Sequence, residues 1–597
     1  MINRNALSAA FLIVLLFVAP AIASMPEDNY NDLLHYLQIG RFDLARGYAQ
    51  AVLDGNASPV DLFDLANANQ QGYALLVRAK ESLTDAELAA LCGKVINVIE
   101  QGRFIRRADP KVIVEEIARL STTSRGQLNA VKRLQDAGEY AIMYMLDALA
   151  DDARKAEWPN ISNALSKMGK DAIRPMAAAL QTGNVAVKTE IIKALGKIGH
   201  PQSLPYLKYI AEKDPSMEIR AIAVESISRI DPAAAKLPAA NLFYRLGEDY
   251  YYHAESLSPA DDVDFGNIWF WDAQAGRLTR EQVDIGYFNE LMSMRCCEWA
   301  LKADPSFGQA IGLWVAGYFK AESVVPQMPA YFDSGHADAM TYATTAGPEY
   351  LHQALARAIK DKDAKVALGA VEALSTTAGE SSLFYTFGPT QPLAEALSFD
   401  SKPVRYSAAI AFAAAGPDKP FLESKLVITN LAEAIAEVGR QAGDDNPMWN
   451  AALAETYALR AAKAMLKIAQ GRNKVLDLSS AQDALIEATK DKRPEIQMLA
   501  GQVLAYLSTP AAQKAIAAMA LSDAGSKEVR LVAFNSLAAS GRHNGCMLDD
   551  RLIDEVYKLV GSMDSDPALR AAAAIAYGSL NLPSQKVKDL ILDQSKS

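Results

Sequence analysis

Thr182-Gly183-Asn184-Val185-Ala186-Val187-Lys188-Thr189-Glu190-Ile191-Ile192-Lys193-Ala194-Leu195-Gly196-Lys197-Ile198-Gly199 opens the stretch whose reading decides the fold, and Leu204-Pro205-Tyr206-Leu207 follows it. The phrase then repeats as Asp214-Pro215-Ser216-Met217-Glu218-Ile219-Arg220-Ala221-Ile222-Ala223-Val224-Glu225-Ser226-Ile227. In both, an aliphatic residue precedes a basic one, and small or apolar residues stand three and six positions after it. That spacing puts a narrow smooth stripe on one helix face, against which a second helix can pack closely. Lys188 and Arg220 are 32 residues apart, the length of a helix hairpin and its turns.

Five further copies keep the phase. They are Val366-Ala367 with Ala370 and Ala373-Leu374, Val404-Arg405 with Ala408 and Ala411-Phe412, and Ile496-Gln497 with Ala500 and Val503-Leu504. Val529-Arg530 with Ala533 and Ser536-Leu537, and Leu569-Arg570 with Ala573 and Ala576-Tyr577, complete the set. Asp214, Asp361, Asp491 and Asp564 precede the basic position by six residues in four copies, so an Asp near the N-terminus is expected at these helix starts. The pattern resembles HEAT repeats, specifically the short HEAT-like kind also found in phycobilisome lyases. The resemblance implies an all-α superhelical solenoid of helix hairpins with a long groove. It says little about function, because the matching positions are those that pack repeat on repeat.

Working outward, a looser unit at Asn160–Leu180 echoes the first copy through Ala164-Leu165, Gly169, Ile173 and Pro175. The block 152–240 is therefore read as HEAT-like. Upstream, 24–151 is helical without that phase. Its Asp32–Leu53 stretch, with Gly40, Phe42, Ala45 and Tyr48, resembles one tetratricopeptide hairpin. Thr84-Asp85-Ala86-Glu87 predicts a helix start for Leu83–Glu100, and Arg103–Arg107 reads as a solvated turn. Downstream the array resumes over 351–597. The 92 residues from Arg405 to Gln497 leave room for one degenerate unit around Trp449–Leu466, and the chain closes in a polar tail.

Between the arrays, 241–350 holds 20 of the 47 aromatic residues and four of the six tryptophans. Phe288–Tyr318, with its Ala300-Leu301-Lys302-Ala303-Asp304-Pro305 helix exit, again resembles a tetratricopeptide repeat, and Asn241–His253 is a candidate partner. Asn267–Leu278 is the one strand-like run and predicts a small β-hairpin. Trp299, Trp314, Phe288 and Tyr318 stand at helical spacing and read as core. Trp269 and Trp271 share one strand face; they either dock the hairpin or present an aromatic platform to a peptide or sugar. Tyr251 and Tyr252, in the Tyr250–Tyr252 triplet, stay open in the same way.

Half of the residues are apolar and 22% charged, as in a helical soluble protein. A net charge of −11 offers no basic stripe to displace phosphate counterions, so no nucleic-acid partner is expected. Residues 1–23 read as a cleaved signal peptide: Asn3-Arg4-Asn5, an apolar run Ala6–Val18, then Ala21-Ile22-Ala23 before Ser24. No cysteine follows the cleavage point, which speaks against a lipid anchor. No later segment is apolar for long enough to span a bilayer, so the mature chain is expected to be exported, periplasmic or secreted. Cys92, Cys296, Cys297 and Cys546 are too sparse for a disulfide framework; one bridge stays open.

No nucleophile elbow, zinc-binding or phosphate-loop pattern occurs. Some HEAT proteins hold two irons through paired His-Glu dipeptides, as the hydroxylase acting on deoxyhypusine does. Here the six histidines precede Tyr36, Pro201, Ala254, Ala337, Gln353 and Asn544, which excludes that design. His253-x-Glu255 and His336-x-Asp338 lack further ligands, so no metal or other cofactor is expected. The sequence thus predicts a non-catalytic scaffold binding proteins along its groove. The alternative is an enzyme or chromophore-handling protein with chemistry in the insert near His253, Cys296 and Cys297.

Overall fold

The computed structural model describes residues 26–592, save 56, 260–262, 326, 378, 439–448, 563, 584, 586–587 and 589–590. The expected signal peptide, residues 1–23, and the last residues, 593–597, lie outside the described residues. The fold is all-α, with one two-stranded sheet among the described residues, β1 (Phe265–Asp272) and β2 (Arg277–Asp284). The hairpin is longer than expected because the polar run Thr279–Asp284, with only Val283 buried, also pairs as strand. Chain contacts divide the molecule into two units. The first comprises Met1–Ser203, Pro215–Ile230 and Trp269–Thr279; the second comprises Leu204–Asp214, Asp231–Ile268 and Arg280–Ser597.

The repeat phase predicts the core. The aliphatic residues before the basic position, Val187, Ile219, Val366, Val404, Ile496, Val529 and Leu569, are all buried. So are the residues three and six positions after it, from Ile191 and Ala194 through to Ala573 and Ala576. The basic position has a structural task. Arg220 donates to the carbonyl of Pro215 (3.4 Å), Arg405 to that of Asp400 (3.4 Å), Arg530 to that of Ala520 (3.0 Å) and Arg570 to that of Ser562 (3.5 Å). Each guanidinium thus satisfies a carbonyl outside its own helix: those of Pro215, Asp400 and Ser562 precede the helix start, and that of Ala520 lies in the last turn of helix Pro510–Leu521, where carbonyls lack intrahelical partners.

In the first unit, the helices Pro26–Gln38 and Phe42–Asp54 form the expected opening hairpin, with Tyr36 stacked on Tyr48 at 5.3 Å. Helix Ala86–Arg107 is capped by Asp85, whose carboxylate accepts from Leu88 N–H. It continues through Arg103–Arg107, which was expected to be a turn. Arginine is a good helix former and its charge suits a helix C-terminus, and Arg103 and Arg106 pair with Glu100 and Asp64. In the looser unit, Gly169 (φ +79°) shares the positive φ of Gly199 (φ +74°), which follows helix Val185–Ile198 in a left-handed helical turn, although Gly169 is extended in ψ; glycine adopts both conformations without strain.

In the second unit two helical layers run from residue 348 onward. Helices Ala364–Thr377, Lys402–Ala415, Ala451–Gly471, Pro494–Leu504, Lys527–Asn544 and Pro567–Ser579 pack each on the next. Each also packs on the helix preceding it in sequence. Ala451–Gly471 is the degenerate unit the 92-residue gap left room for. The aspartates six residues ahead of the basic positions are not the caps themselves. Ser216, Asp363 and Asp566 cap helices Met217–Ile230, Ala364–Thr377 and Pro567–Ser579 two residues later. Asp491 instead clamps the side chain and backbone N–H of Arg493.

Candidate functional site

The sequence candidates fall into both units. In the second, helix Ala239–Tyr251 packs on Ile285–Ala303. It ends in a left-handed turn at His253 (φ +54°), where His253 N–H reaches Tyr250 O and Ala254 N–H reaches Asp249 O. That turn separates the tyrosine triplet. Tyr250 and Tyr251 are buried and Tyr252 is 47% exposed. Tyr251 lies beneath two cations, Lys320 Nζ at 4.5 Å and the Arg357 guanidinium carbon at 5.4 Å from its ring centre. Burial raises its phenol pKa.

His253 Nε2 donates to Glu290 Oε1 at 2.5 Å, and Lys320 Nζ stands 3.3 Å from the same oxygen while donating to Tyr251 O. Burial alone would raise the Glu290 carboxyl, but the His253 hydrogen bond and the His253 and Lys320 charges hold it below the usual range. Cys296 and Cys297 are fully buried, and burial pushes both thiols well above their ordinary value. Neither is an accessible thiolate. None of the four cysteines is bridged. Phe288 and Tyr318 are buried and Trp299 stacks on Phe243 at 5.8 Å, so these residues belong to the core.

Arg357 organises the surface around Tyr252. It donates to Glu248 (2.6 Å) and to the hydroxyls of Tyr244 and Tyr252 (2.8 Å each). Beside it lies a cleft of about 470 Å³, overhung by the tight turn Phe387–Thr390, in which Gly388 has φ +61°. Phe387 is 39% exposed at its rim. Gln309 and Gln353 also line the cleft, and neither amide has a hydrogen-bond partner among the described residues. Sequence reasoning missed Arg357, Gln309, Gln353 and Phe387, since nothing in the local pattern sets them apart from ordinary surface residues.

In the first unit, Trp269 is only 4% exposed. Its indole N–H donates to Glu139 (2.7 Å) and its ring meets Tyr140 edge-on at 6.5 Å. Trp269 therefore docks the hairpin. Trp271 is half-buried and lines a second cleft, of about 380 Å³, with Asp147 and the segment Gln181–Asn184. Among the described residues no three His, Cys, Asp or Glu side chains are grouped as metal ligands, and no helix is long and apolar enough to cross a membrane.

Stacked helix pairs with an alanine-rich stripe define the class as a HEAT-type helical solenoid. A family model described as HEAT repeats matches residues 129–228. Among solved structures the chain is similar to an engineered protein, at 15% identity over 79% of this chain and 99% of that one (TM-score 0.31). It is also similar to importin beta, at 12% identity over 93% and 71% (TM-score 0.29). Human deoxyhypusine hydroxylase in complex with glycerol matches at 16% identity over 68% and 97% (TM-score 0.18). No curated protein matches the chain.

Proposed function

We propose that this chain is an exported protein-interaction scaffold without chemistry of its own, and that it receives an extended segment of a partner protein in the Tyr252–Phe387 cleft. HEAT-type solenoids commonly serve as protein-interaction scaffolds. The observation that carries the reading here is a pair of uncommitted amides, Gln309 and Gln353, in a cleft that also holds Tyr252 and Phe387. An amide side chain offers both N–H donors and a carbonyl acceptor, so it can complement the N–H and C=O of a peptide unit, and exposed aromatic rings supply contact area at low entropic cost. Arg357 is already paired with Glu248, and the other charged residues lining the cleft, Lys360 and Glu395, are of opposite sign, so the cleft has no net charge to match.

Export is inferred from the Ala6–Val18 run and Ala21-Ile22-Ala23. N-terminal sequencing of the mature protein should begin at Ser24; a chain retaining Met1 in a cytoplasmic fraction would refute it. The rival reading, catalysis or chromophore handling at His253, Cys296 and Cys297, draws no support from two sealed thiols and an imidazole held by a buried carboxylate. For the scaffold, a photoreactive phenylalanine analogue at position 387 is expected to crosslink a discrete protein in intact cells. Gln309→Ala with Gln353→Ala should lower the yield severalfold. A crosslink indifferent to those substitutions, or none with protein, overturns the cleft as the docking site.

A further inference from the structure

We propose that the hairpin-tip cleft of the first unit is a receptor for one basic side chain, a lysine or arginine, carried by a partner polypeptide. Its volume, about 380 Å³, lies at the lower end of ligand pockets, which run to roughly 1,000 Å³. Met143, Leu146, Val187 and Leu278 give it apolar walls, suited to the methylene stem that lysine and arginine bury while the charged end seeks a polar group.

The polar groups on its rim are mostly spoken for. Asn184 Oδ1 accepts from the N–H groups of Ala186 and Val187, so two of the donors at the helix start beside the cleft are already committed. Thr182 Oγ1 accepts from Asn184 N–H, Gln181 donates to Ala178 O, and Asp272 holds the hairpin turn through the N–H groups of Gln274 and Ala275. Two groups remain uncommitted among the described residues: the Asp147 carboxylate, which has no hydrogen bond or ion pair, and the Trp271 indole. A carboxylate beside an indole and an apolar stem-channel is the set a primary ammonium or guanidinium uses, through an ion pair and a cation–π contact. The net charge of −11 favours the approach of a basic partner.

The protein around the cleft pushes the Asp147 carboxyl above its ordinary value, and the Arg277 charge opposes that without forming an ion pair. Arg277, between the cleft-lining Gly276 and Leu278, is thus a like-charged neighbour that opposes a cation bound at Asp147. Removing it should strengthen cation binding, which an accidental apolar hollow would not do.

The test uses the mature full-length chain labelled with 5-fluorotryptophan, the Trp271 fluorine resonance being assigned with Trp271→Phe. N-acetyl-lysine methylamide and N-acetyl-arginine methylamide are titrated in parallel with the neutral norleucine analogue. The cationic compounds are expected to shift the Trp271 resonance saturably and leave the other five tryptophans in place. Asp147→Asn should weaken the effect about five-fold, the worth of one partly screened ion pair. Arg277→Gln should strengthen it by a similar factor. An equal shift with norleucine, the same affinity in Asp147→Asn, a shift of all the tryptophans together, or no shift at tens of millimolar overturns the proposal. Both variants are exposed, and the five remaining resonances report whether they fold.

Discussion

Gly196→Ala is expected to destabilise the first unit, whereas Gly47→Ala, the same substitution in another helix, is expected to stabilise it. A Cβ at Gly196 would lie 2.6 Å from Ser226 Oγ, 2.7 Å from Ser226 Cβ and 3.0 Å from Ser226 Cα, all on helix Met217–Ile230. Carbon atoms in good contact sit roughly 3.5–4.0 Å apart, and turning the Ser226 hydroxyl away would leave its Cβ and Cα in place, so the two helices must separate by about 1 Å. Separation breaks the buried hydrogen bond from Ser226 Oγ to Ile192 O, at 3.2 Å. Overpacking costs about 1–3 kcal/mol and a lost hydrogen bond about 1 kcal/mol, against a gain near 1 kcal/mol from replacing a helical glycine. The net is about 2 kcal/mol destabilising.

At Gly47 nothing stands within 4 Å of the added carbon, so only the helix gain of about 1 kcal/mol remains. Gly102→Ala marks the other extreme, since its Cβ would fall 1.8 Å from the carbonyl oxygen of Pro59, which no side-chain rotation relieves. Urea unfolding followed by circular dichroism, with hydrogen exchange over 185–230 to localise the effect, reads all three. Gly196→Ala combined with Ser226→Gly should be less damaging than the sum of the two single changes. If Gly196→Ala raises stability as much as Gly47→Ala does, the small-residue stripe is not where these helices meet.

Trp269→Ala should cost about 3–5 kcal/mol, as for a large buried side chain, and lower the melting temperature, while Trp271→Ala leaves it nearly unchanged; equal drops would refute the different places assigned to them. His352 is fully buried, donates from Nε2 to Ser382 O at 2.8 Å and has no partner at Nδ1, and burial lowers its pKa to about 4 despite the opposing Ser382 bond. Its folded pKa lies below the unfolded value near 6.5, so the unfolded chain takes the proton first: stability is full above about pH 6.5 and falls toward pH 4, by at most roughly 3 kcal/mol. His352→Gln should flatten that acid limb in urea titrations at pH 7 and 5, and an unchanged slope would falsify the assignment. A thiol reagent should modify Cys546 rapidly in the native protein and spare Cys92, Cys296 and Cys297, which mass spectrometry of the labelled peptides checks; fast labelling of Cys296 would return the insert to the list of reactive sites.

The repeats were legible because each copy poses the same local problem and answers it at the same positions. A buried valine, a small residue three further on and another at six are visible in one dimension, since a helix brings them to one face wherever it lies. The basic position was visible too, but its task was not, because the carbonyl each arginine satisfies lies outside its own helix. The site residues fail for a related reason. Trp269 and Trp271 share a strand face by periodicity, so the sequence treats them alike. Their fates diverge because Trp269 meets Glu139 and Tyr140, 130 residues away in the chain, while Trp271 lines a cleft with Asp147. The tyrosine triplet divides where helix Ala239–Tyr251 ends, ahead of His253, a non-glycine in a left-handed turn that carries no conventional stop signal. Arg357, Gln309 and Gln353 look like solvated surface on amphipathic helices. They become a site only when the Phe387–Thr390 turn is placed over them, and no residue in either segment announces the other. In a stacked array the packing code is local and repeated, whereas a binding cleft is assembled once from segments far apart in sequence. The second kind of information is therefore the part that needed the fold before it could be read.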